Sequence, residues 1–283
     1  MNLVVHKNIN DFRDRCRGWL LRDEALNNSL IAVIDLIANK SRAYSGPYWF
    51  GTLEEDGDIV AIAVQCMPDG LTLSETNSEG VALIYDAMSE SVGAPHRILG
   101  PEPATTELAE RWDQETEYRA LKEGDWNIHW VKKVLPPARP ANGRLKKAEE
   151  SDSEWVASWG SAYGKEKPAV VDVADFMLRK LRRNELYVWD DDGAKTMLTV
   201  SGFTDRGVRI SAVFTPEEHR GRGYASVAVA VLSQSLLDDD NDFVVLHTKE
   251  GDPAERVYKR LGYEQIESRA CYWIRNSEAD SAG

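Results

Sequence analysis

The chain has 283 residues, of which 34 are lysine or arginine and 47 are aspartate or glutamate, so its net charge is −13 with histidine neutral. This acid excess argues against a broad nucleic-acid-binding face and against attraction to anionic membranes. The 42% hydrophobic and 29% charged residues are ordinary globular usage, and the length suggests two domains. We therefore expect a folded protein that has neither a nucleic acid nor a membrane as partner.

Cysteine spacing and the lack of long apolar segments narrow the class of protein further. Cys16, Cys66 and Cys271 are odd in number and widely spaced, which is typical of a reducing compartment and of a chain without a disulfide framework. The five histidines show no zinc-binding spacing. No run approaches the ~18 apolar residues of a membrane span, and residues 1–19 lack the apolar core of a signal peptide. We expect a cytoplasmic protein without a bound metal.

The first half of the chain opens with helices and continues with strands. Leu30, Ile34 and Ile37 fall at helical spacing and indicate an amphipathic helix. An acidic turn around Gly57 separates two β-rich runs, which predicts a hairpin. In chain order the sequence predicts helices at 9–21 and 24–40, strands at 48–53, 59–64 and 71–73, helices at 78–91 and 103–119, and a strand at 127–135.

A proline-rich segment, Val134 to Gly143, separates the two halves. Three prolines and one glycine in ten residues indicate an extended, semi-rigid connector. The sequence therefore predicts a first domain at 1–135, a linker at 136–143, a second domain at 144–276 and a flexible tail at 277–283.

The second half repeats the element order of the first. The predicted elements are a strand at 144–147, helices at 151–163 and 171–183, strands at 186–189, 197–203 and 208–215, a helix at 223–237, a strand at 243–248, a helix at 253–261 and a strand at 263–274. Helices alternating with strands in this way are typical of an α/β fold with a mixed sheet. Because the similarity lies in element order and not in residues, an internal duplication is a hypothesis only.

The segment from Val213 to Ala225 carries the clearest chemical signal. A strand ends at a proline, a turn with Gly221 and Gly223 follows, and a helix begins. Glycines let backbone N–H groups approach a ligand, and a helix N-terminus adds partial positive charge, so such a turn suits phosphates. Arg220 and Arg222 add positive charge. The segment is neither a Walker loop nor G-x-G-x-x-G, and a tight connection with incidental glycines is the alternative.

This segment resembles the acyl-CoA pyrophosphate loop of the GNAT superfamily of N-acyltransferases, through the R-x-x-G-x-A spacing of Arg220, Gly223 and Ala225. The chain from Phe243 to Tyr263 is similar to the fifth strand and following helix of that superfamily. The sequence of the second half is most similar to that of a group of two-domain predicted acetyltransferases with a V-Y-T-P-P-x-x-R-G-x-G-Y-A loop. Lys249 stands where those proteins have an acid, so no acid role is transferred to that position.

The resemblance implies a mixed β-sheet flanked by helices, in the acyl-CoA N-acyltransferase (GNAT) fold, with two tandem GNAT-like domains. It implies acetyl-CoA (coenzyme A) as cofactor. One strand would pair through its backbone with the pantetheine arm, and the loop would hold the pyrophosphate by backbone donors. Asp252 stands where the group has asparagine. Aspartate can cap a helix as asparagine does, but it brings a negative carboxylate near CoA. The implied cofactor-binding residues are Val213, Phe214, Thr215, Arg220, Gly221, Arg222, Gly223, Tyr224, Ala225, Ser226 and Asp252.

Tyr258 has two interpretations. Its helical spacing with Ala254 and Leu261 is that of a core aromatic. The resemblance implies a general acid toward the leaving thiolate, a role that a phenol protonated at neutral pH can perform. Glu166 and Glu150 are candidates for the general base, each also readable as a solvated carboxylate.

Three further features have alternative explanations. His219 is read as turn surface, and His247 as a partly buried structural histidine with a catalytic role as alternative. Trp155 and Trp159 lie one helical turn apart, which favours core packing over lining an acceptor pocket.

The predicted function is transfer of an acetyl group from acetyl-CoA to a primary amine by direct attack, with a small molecule or a peptide as acceptor and a homodimer as a compatible assembly. The alternatives are a non-catalytic acyl-CoA sensor and a protein that binds another phosphate ligand. The first half has no R-x-x-G-x-G loop, and its nearest feature, Arg97 to Pro103, has prolines where a phosphate cradle needs backbone N–H donors. We therefore interpret the first domain as a GNAT-like domain that has lost its CoA site. We expect the first domain to form the side of the active-site cleft at which the acceptor amine binds, and to bind no second CoA.

Overall fold

The computed structural model describes residues 1–41, 43–167 and 172–277. Apart from Ser277, the predicted tail therefore lies outside the described residues. The chain forms two compact units. The first unit contains Met1–Ile128 and the segment from Ile266 onward, and the second unit contains His129–Gln265.

The same element order occurs twice along the chain: strand, two helices, three strands, helix, strand, helix, strand. This confirms the order predicted for the second half, whereas in the first half the strands Asn2–His6 and Arg97–Pro101 were not predicted. The first series is β1 (Asn2–His6), α1 (Ile9–Leu20), α2 (Glu24–Ala38), β2 (Ser45–Glu55), β3 (Asp58–Met67), β4 (Gly70–Leu73), α3 (Ser78–Ser91), β5 (Arg97–Pro101), α4 (Ala104–Glu115) and β6 (Tyr118–Val131). The second is β7 (Arg144–Lys147), α5 (Ser153–Glu166), α6 (Val173–Arg182), β8 (Leu186–Asp190), β9 (Ala194–Ser201), β10 (Gly207–Phe214), α7 (Tyr224–Asp238), β11 (Phe243–Lys249), α8 (Ala254–Arg260) and β12 (Glu264–Asn276).

Each unit has a mixed sheet with one short parallel pair. The strand order is β1-β2-β3-β4-β5-β12 in the first unit and β7-β8-β9-β10-β11 in the second. The parallel pairs are β4 with β5 and β10 with β11. The predicted hairpin is β2–β3, whose turn has Asp56 and Gly57 at positive φ, the conformation that suits the twist of two antiparallel strands.

The last strand lies in a different unit from the one that the sequence predicts. Residues up to 276 were expected in the second domain, but Arg269–Trp273 of β12 pair antiparallel with Arg97–Pro101 of β5. The N–H and C=O groups of an edge strand accept any strand of fitting register, however far along the chain it begins. The first unit therefore takes its closing strand from the C-terminal segment.

Helix α7 packs on the sheet of the second unit with an apolar surface on nearly all sides. Val227, Ala228, Val229, Ala230 and Leu232 are all buried, in one cluster with residues of β9, β10 and β11. Burial of these side chains holds the helix against the sheet, so its first residue lies just beyond the end of β10. None of the described helices has the length and apolar character needed to cross a lipid bilayer.

Candidate functional site

The loop between β10 and α7 has two glycines in the left-handed region. After β10 ends, Glu217–His219 form a short 3-10 turn. Gly221 follows with φ +74° and Gly223 with φ +88°, and Gly223 is the N-cap of α7. An L side chain rarely adopts such φ values, so glycine is required here by the backbone path itself. The predicted glycine turn before a helix is confirmed.

Backbone N–H groups of this loop are available to a ligand. The first helical bond of α7 is donated by the Val227 N–H to the Gly223 carbonyl, at 3.0 Å. Within the described part of the chain, no N–H from Gly221 to Ser226 has a protein acceptor. The Arg220 N–H differs, because it donates to the Glu217 carbonyl at 3.1 Å. The free donors therefore begin at Gly221, one residue later than predicted, and they form a typical anion site at a helix start.

A cavity of about 360 Å³ opens at this loop. Its other walls come from Arg139, His219 and two residues of α8, Val257 and Arg260. Val213, Phe214, Arg222 and Asp252, which the resemblance assigns to the cofactor, do not line it. The predicted cofactor residues that do line it are Thr215, Arg220, Gly221, Gly223, Tyr224, Ala225 and Ser226.

Two loop side chains make contacts within the protein. The Arg220 Nε donates to the Thr215 carbonyl at 2.9 Å, and its Nη2 lies 2.5 Å from Glu166 Oε1. The guanidinium thus joins the end of β10 to the end of α5, and Glu166, a candidate base, is engaged in this ion pair. The Tyr224 hydroxyl donates to Asp191 Oδ2 at 2.6 Å, and this hydrogen bond raises the Tyr224 pKa.

Strand β10 is irregular just before the loop. Its register with β9 slips between Ser211 and Phe214, and Ala212 lies in this slip with φ +50°. The parallel ladder with β11 joins Gly207–Arg209 to Phe243–Val245, and among the described residues no ladder pair joins the later parts of these two strands. An extended ligand could therefore add as a strand along the end of β10, as predicted for Val213 to Thr215.

Tyr258 lies on α8 and is only 7% exposed. Burial raises its pKa above the ordinary value of a phenol, and the nearby Asp252 carboxylate and Tyr163 raise it further. Its ring centroid is 5.9 Å from that of Tyr263. Tyr258 is therefore protonated at neutral pH, and the group can donate a proton but cannot serve as a base there.

Asp252 performs the capping role predicted for it and has a cationic partner. Its Oδ1 accepts the Ala254 N–H at 2.9 Å, and its Oδ2 lies 2.5 Å from Lys167 Nζ. Tyr163, on α5, packs its ring edge-on against Phe214 at 5.9 Å. The end of α5, the end of β10 and the start of α8 therefore meet around Tyr258.

The remaining candidates lie as follows. Glu150 is exposed in a 3-10 turn. His219 lines the cavity, and its Nδ1 is buried with no hydrogen-bond partner among the described residues. His247 is half-buried on β11. Trp155 and Trp159 pack on each other at 4.7 Å in an apolar cluster, which agrees with the core interpretation.

Sequence reasoning missed Tyr163, Lys167 and Arg139. Tyr163 follows Trp159 by one helical turn, so the apolar spacing of α5 could have indicated it. Lys167 and Arg139 lie on a helix end and in the proline-rich segment, where no periodic pattern exists. Only the fold brings them to the site.

The first-unit segment that the sequence singled out, Arg97 to Pro103, comprises β5 and the two residues after it, and the space beside its glycine is filled by protein. A Cβ on Gly100 would meet Thr105 Oγ1 at 2.7 Å and Leu73 Cγ at 2.8 Å, whereas a Cβ on Gly221 would meet nothing within 4 Å. Pro101 and Pro103, which have no N–H, precede α4. This segment therefore lacks open space at Gly100 and lacks two of the N–H groups before the helix.

The three cysteines should resist thiol reagents in the native protein. Cys16, Cys66 and Cys271 are all buried, and burial raises the thiol pKa of each, to about 12 for Cys16 and Cys271. Because the thiolate is the reacting form, we expect almost no labelling by iodoacetamide at neutral pH and three labels per chain after denaturation. Rapid labelling of the native protein, followed by mass spectrometry, would contradict this.

Comparisons with known proteins agree with this geometry. Residues 193–274 match the family model described as FR47-like protein. No curated protein sequence matches the chain. Three solved structures illustrate the similarity over nearly the whole chain, each at low sequence identity. An acetyltransferase of the GNAT family from Colwellia psychrerythraea is 11% identical with a TM-score of 0.59, covering 97% of this chain and 100% of that one.

The second is a GCN5-related N-acetyltransferase from Sphaerobacter thermophilus, 14% identical with a TM-score of 0.58, covering 97% of this chain and 96% of that one. The third is a tandem GNAT protein from the clavulanic acid biosynthesis pathway, 15% identical with a TM-score of 0.54, covering 98% of this chain and 99% of that one. The predicted resemblance and fold class are confirmed.

Proposed function

We propose that this chain, which has the GNAT fold over nearly its whole length, is an N-acetyltransferase that moves an acetyl group from acetyl-CoA to a primary amine. The observation that carries the proposal is the run of backbone N–H groups from Gly221 to Ser226: none has an acceptor among the described residues, and all of these residues except Arg222 line the cavity. Such donors at a helix start suit a pyrophosphate, and they do not suit a neutral ligand.

Acetyl-CoA, when bound, supplies an acetyl group activated as a thioester. The chain would hold its phosphates at the Gly221–Ser226 donors and its extended arm along the end of β10. Backbone groups perform both tasks, so the side chains of Val213 and Thr215 need not contact the ligand. Holding the donor in one orientation lets an amine attack the carbonyl at close range, which is a large part of the catalysis expected in a ternary complex.

Tyr258 would give its proton to the sulfur that leaves. Its raised pKa keeps the proton on the phenol at neutral pH, so the donor is present in almost every molecule. The nitrogen of the neutral amine forms the new C–N bond, the C–S bond breaks, and the sulfur leaves as the thiol with the Tyr258 proton. The proton that the nitrogen loses passes to solvent, and the Tyr258 phenolate takes one back from solvent. The buried cysteines support direct attack, because none offers a reactive thiolate for an acyl-enzyme.

Acceptor-dependent release of free thiol tests the proposal. The protein is incubated with acetyl-CoA and a panel of small-molecule and peptide amines, and free CoA is measured. Thiol release that needs an acceptor supports the enzyme. Tight acetyl-CoA binding with no turnover on any amine favours the alternative, a non-catalytic acyl-CoA sensor. Thermal-shift measurements with CoA, ATP and NAD distinguish the enzyme and the acyl-CoA sensor, which CoA should stabilise, from a protein that recognises another phosphate ligand.

Calorimetry should give one CoA per chain. The second unit has the free donors and the cavity. In the first unit, the loop between β4 and α3 has the corresponding place in the element order, contains no glycine, and ends at Asn77, whose side chain accepts the Gly80 N–H at 3.0 Å. The measurement uses the full chain, because β12 of the C-terminal segment is part of the first unit. A stoichiometry of two would show that the first unit holds a ligand as well.

A further inference from the structure

The proline-rich segment, residues 134–143, is attached along the second unit and borders the cavity. The Leu135 N–H donates to the Leu261 carbonyl at 2.8 Å, and the Asn142 carbonyl accepts from Trp189 Nε1 at 2.8 Å. Between these two points, the Arg139 carbonyl lies 3.5 Å from where a Cβ on Gly223 would be. We call residues 134–143 the strap. Sequence reasoning treated it as a connector only.

The strap brings Arg139 to a cavity that a second arginine, Arg260, also lines. Arg139 and Arg260, the latter at the end of α8, both line the cavity and both are exposed. Within residues 1–41, 43–167 and 172–277, neither guanidinium has an ion pair or hydrogen bond. In a chain of net charge −13, carboxylates are plentiful, yet these two cations have none. They contrast with Arg220, which is paired with Glu166.

The negative charge of coenzyme A exceeds what the loop alone neutralises. The Gly221–Ser226 donors suit the pyrophosphate, but CoA carries a further phosphate on the 3′-oxygen of its ribose. A phosphomonoester has a charge of roughly −1.5 to −2 at pH 7, and guanidinium groups bind it with paired, charge-assisted hydrogen bonds. Two arginines without an ionic partner among the described residues, one from the strap and one from α8, line the same cavity and match a ligand of that charge.

We propose that Arg139 and Arg260 bind the 3′-phosphate of coenzyme A, so that the protein selects CoA over 3′-dephospho-CoA. This inference rests on the proposed function, since it concerns the same ligand. It gives the strap a binding role: the segment that joins the two repeats supplies one of the two cations, and its attachment at Leu135 and Asn142 holds that cation at the cavity.

Titration calorimetry with CoA and with 3′-dephospho-CoA tests the assignment. Wild type should bind CoA at least about tenfold more tightly, because a hydrogen bond to a charged group is worth that much or more. R139Q and R260Q should each weaken CoA binding about tenfold and leave dephospho-CoA binding unchanged, so the selectivity falls in both. Added salt should reduce the selectivity of wild type more than that of R139Q and R260Q.

R256Q is the matched control. Arg256 lies one helical turn before Arg260 on α8, is exposed and does not line the cavity, so the variant removes the same charge from the same helix. It should keep wild-type selectivity. Equal affinity of wild type for both ligands overturns the inference and leaves the proposed function standing. The inference is also overturned if R256Q loses as much selectivity as R260Q, or if R139Q and R260Q weaken both ligands equally. Failure of wild type to bind either ligand overturns the proposed function itself.

Discussion

Replacing Tyr258 with phenylalanine should lower kcat by about 100-fold or more while CoA affinity stays within about twofold. The substitution keeps the ring that packs against Tyr263 and removes only the hydroxyl proton. Without a donor, the sulfur must leave as a thiolate in a buried, poorly solvated position. Because burial raises the pKa of Tyr258, the wild-type rate should not fall through loss of this proton until the pH exceeds about 10.

Tyr263→Phe is the matched control for this variant. Tyr263 is also buried beside Tyr258, but its hydroxyl is hydrogen-bonded to Ser233 at 2.7 Å. Loss of this hydrogen bond in Tyr263→Phe should reduce the free energy of unfolding by about 1 kcal/mol and leave kcat within about twofold of the wild-type value. If Tyr258→Phe itself retains activity within about twofold across pH, Tyr258 is a packing residue and the thiolate leaves unassisted.

Gly223→Val should abolish CoA binding in a protein that remains folded. A valine at φ +88° must shift the backbone at the N-cap of α7, and its side chain would lie where the Arg139 carbonyl and the ligand approach. Loss of two or more hydrogen bonds to a charged pyrophosphate weakens binding by roughly 100-fold or more. Calorimetry measures the affinity, and circular dichroism with thermal unfolding checks the fold.

Gly57→Val is the control that distinguishes backbone strain from loss of the binding site. Gly57 lies in the turn between β2 and β3 with φ +86° and nothing within 4 Å of an added Cβ. The control therefore imposes a similar left-handed strain in the first unit, none of whose described residues lines this cavity, and should leave CoA affinity unchanged. Unchanged CoA affinity in folded Gly223→Val would show that the ligand does not approach this loop.

The local signals in the sequence were enough to predict most elements and the main loop, but not the strands β1 and β5. Apolar spacing indicated α2 and α7, the acidic glycine turn indicated the β2–β3 hairpin, and the two glycines before α7 indicated the anion site. These patterns succeed because they depend on residues close together in the chain. Boundaries were wrong where α4 meets β6: the helix expected to residue 119 ends at Glu115, and the strand expected at 127–135 spans Tyr118–Val131.

Only the tertiary structure decided the contacts between distant residues. No local pattern shows that β12 pairs with β5, because an edge strand accepts any partner of fitting register. The pairing of Lys167 with Asp252 likewise depends on how helices pack against the sheet. The sequence determined most of the elements and the glycine loop by itself, since propensity and turn chemistry are local. The tertiary structure decided which strand closes which unit and which cations reach the cavity, because those depend on packing between residues far apart in the chain.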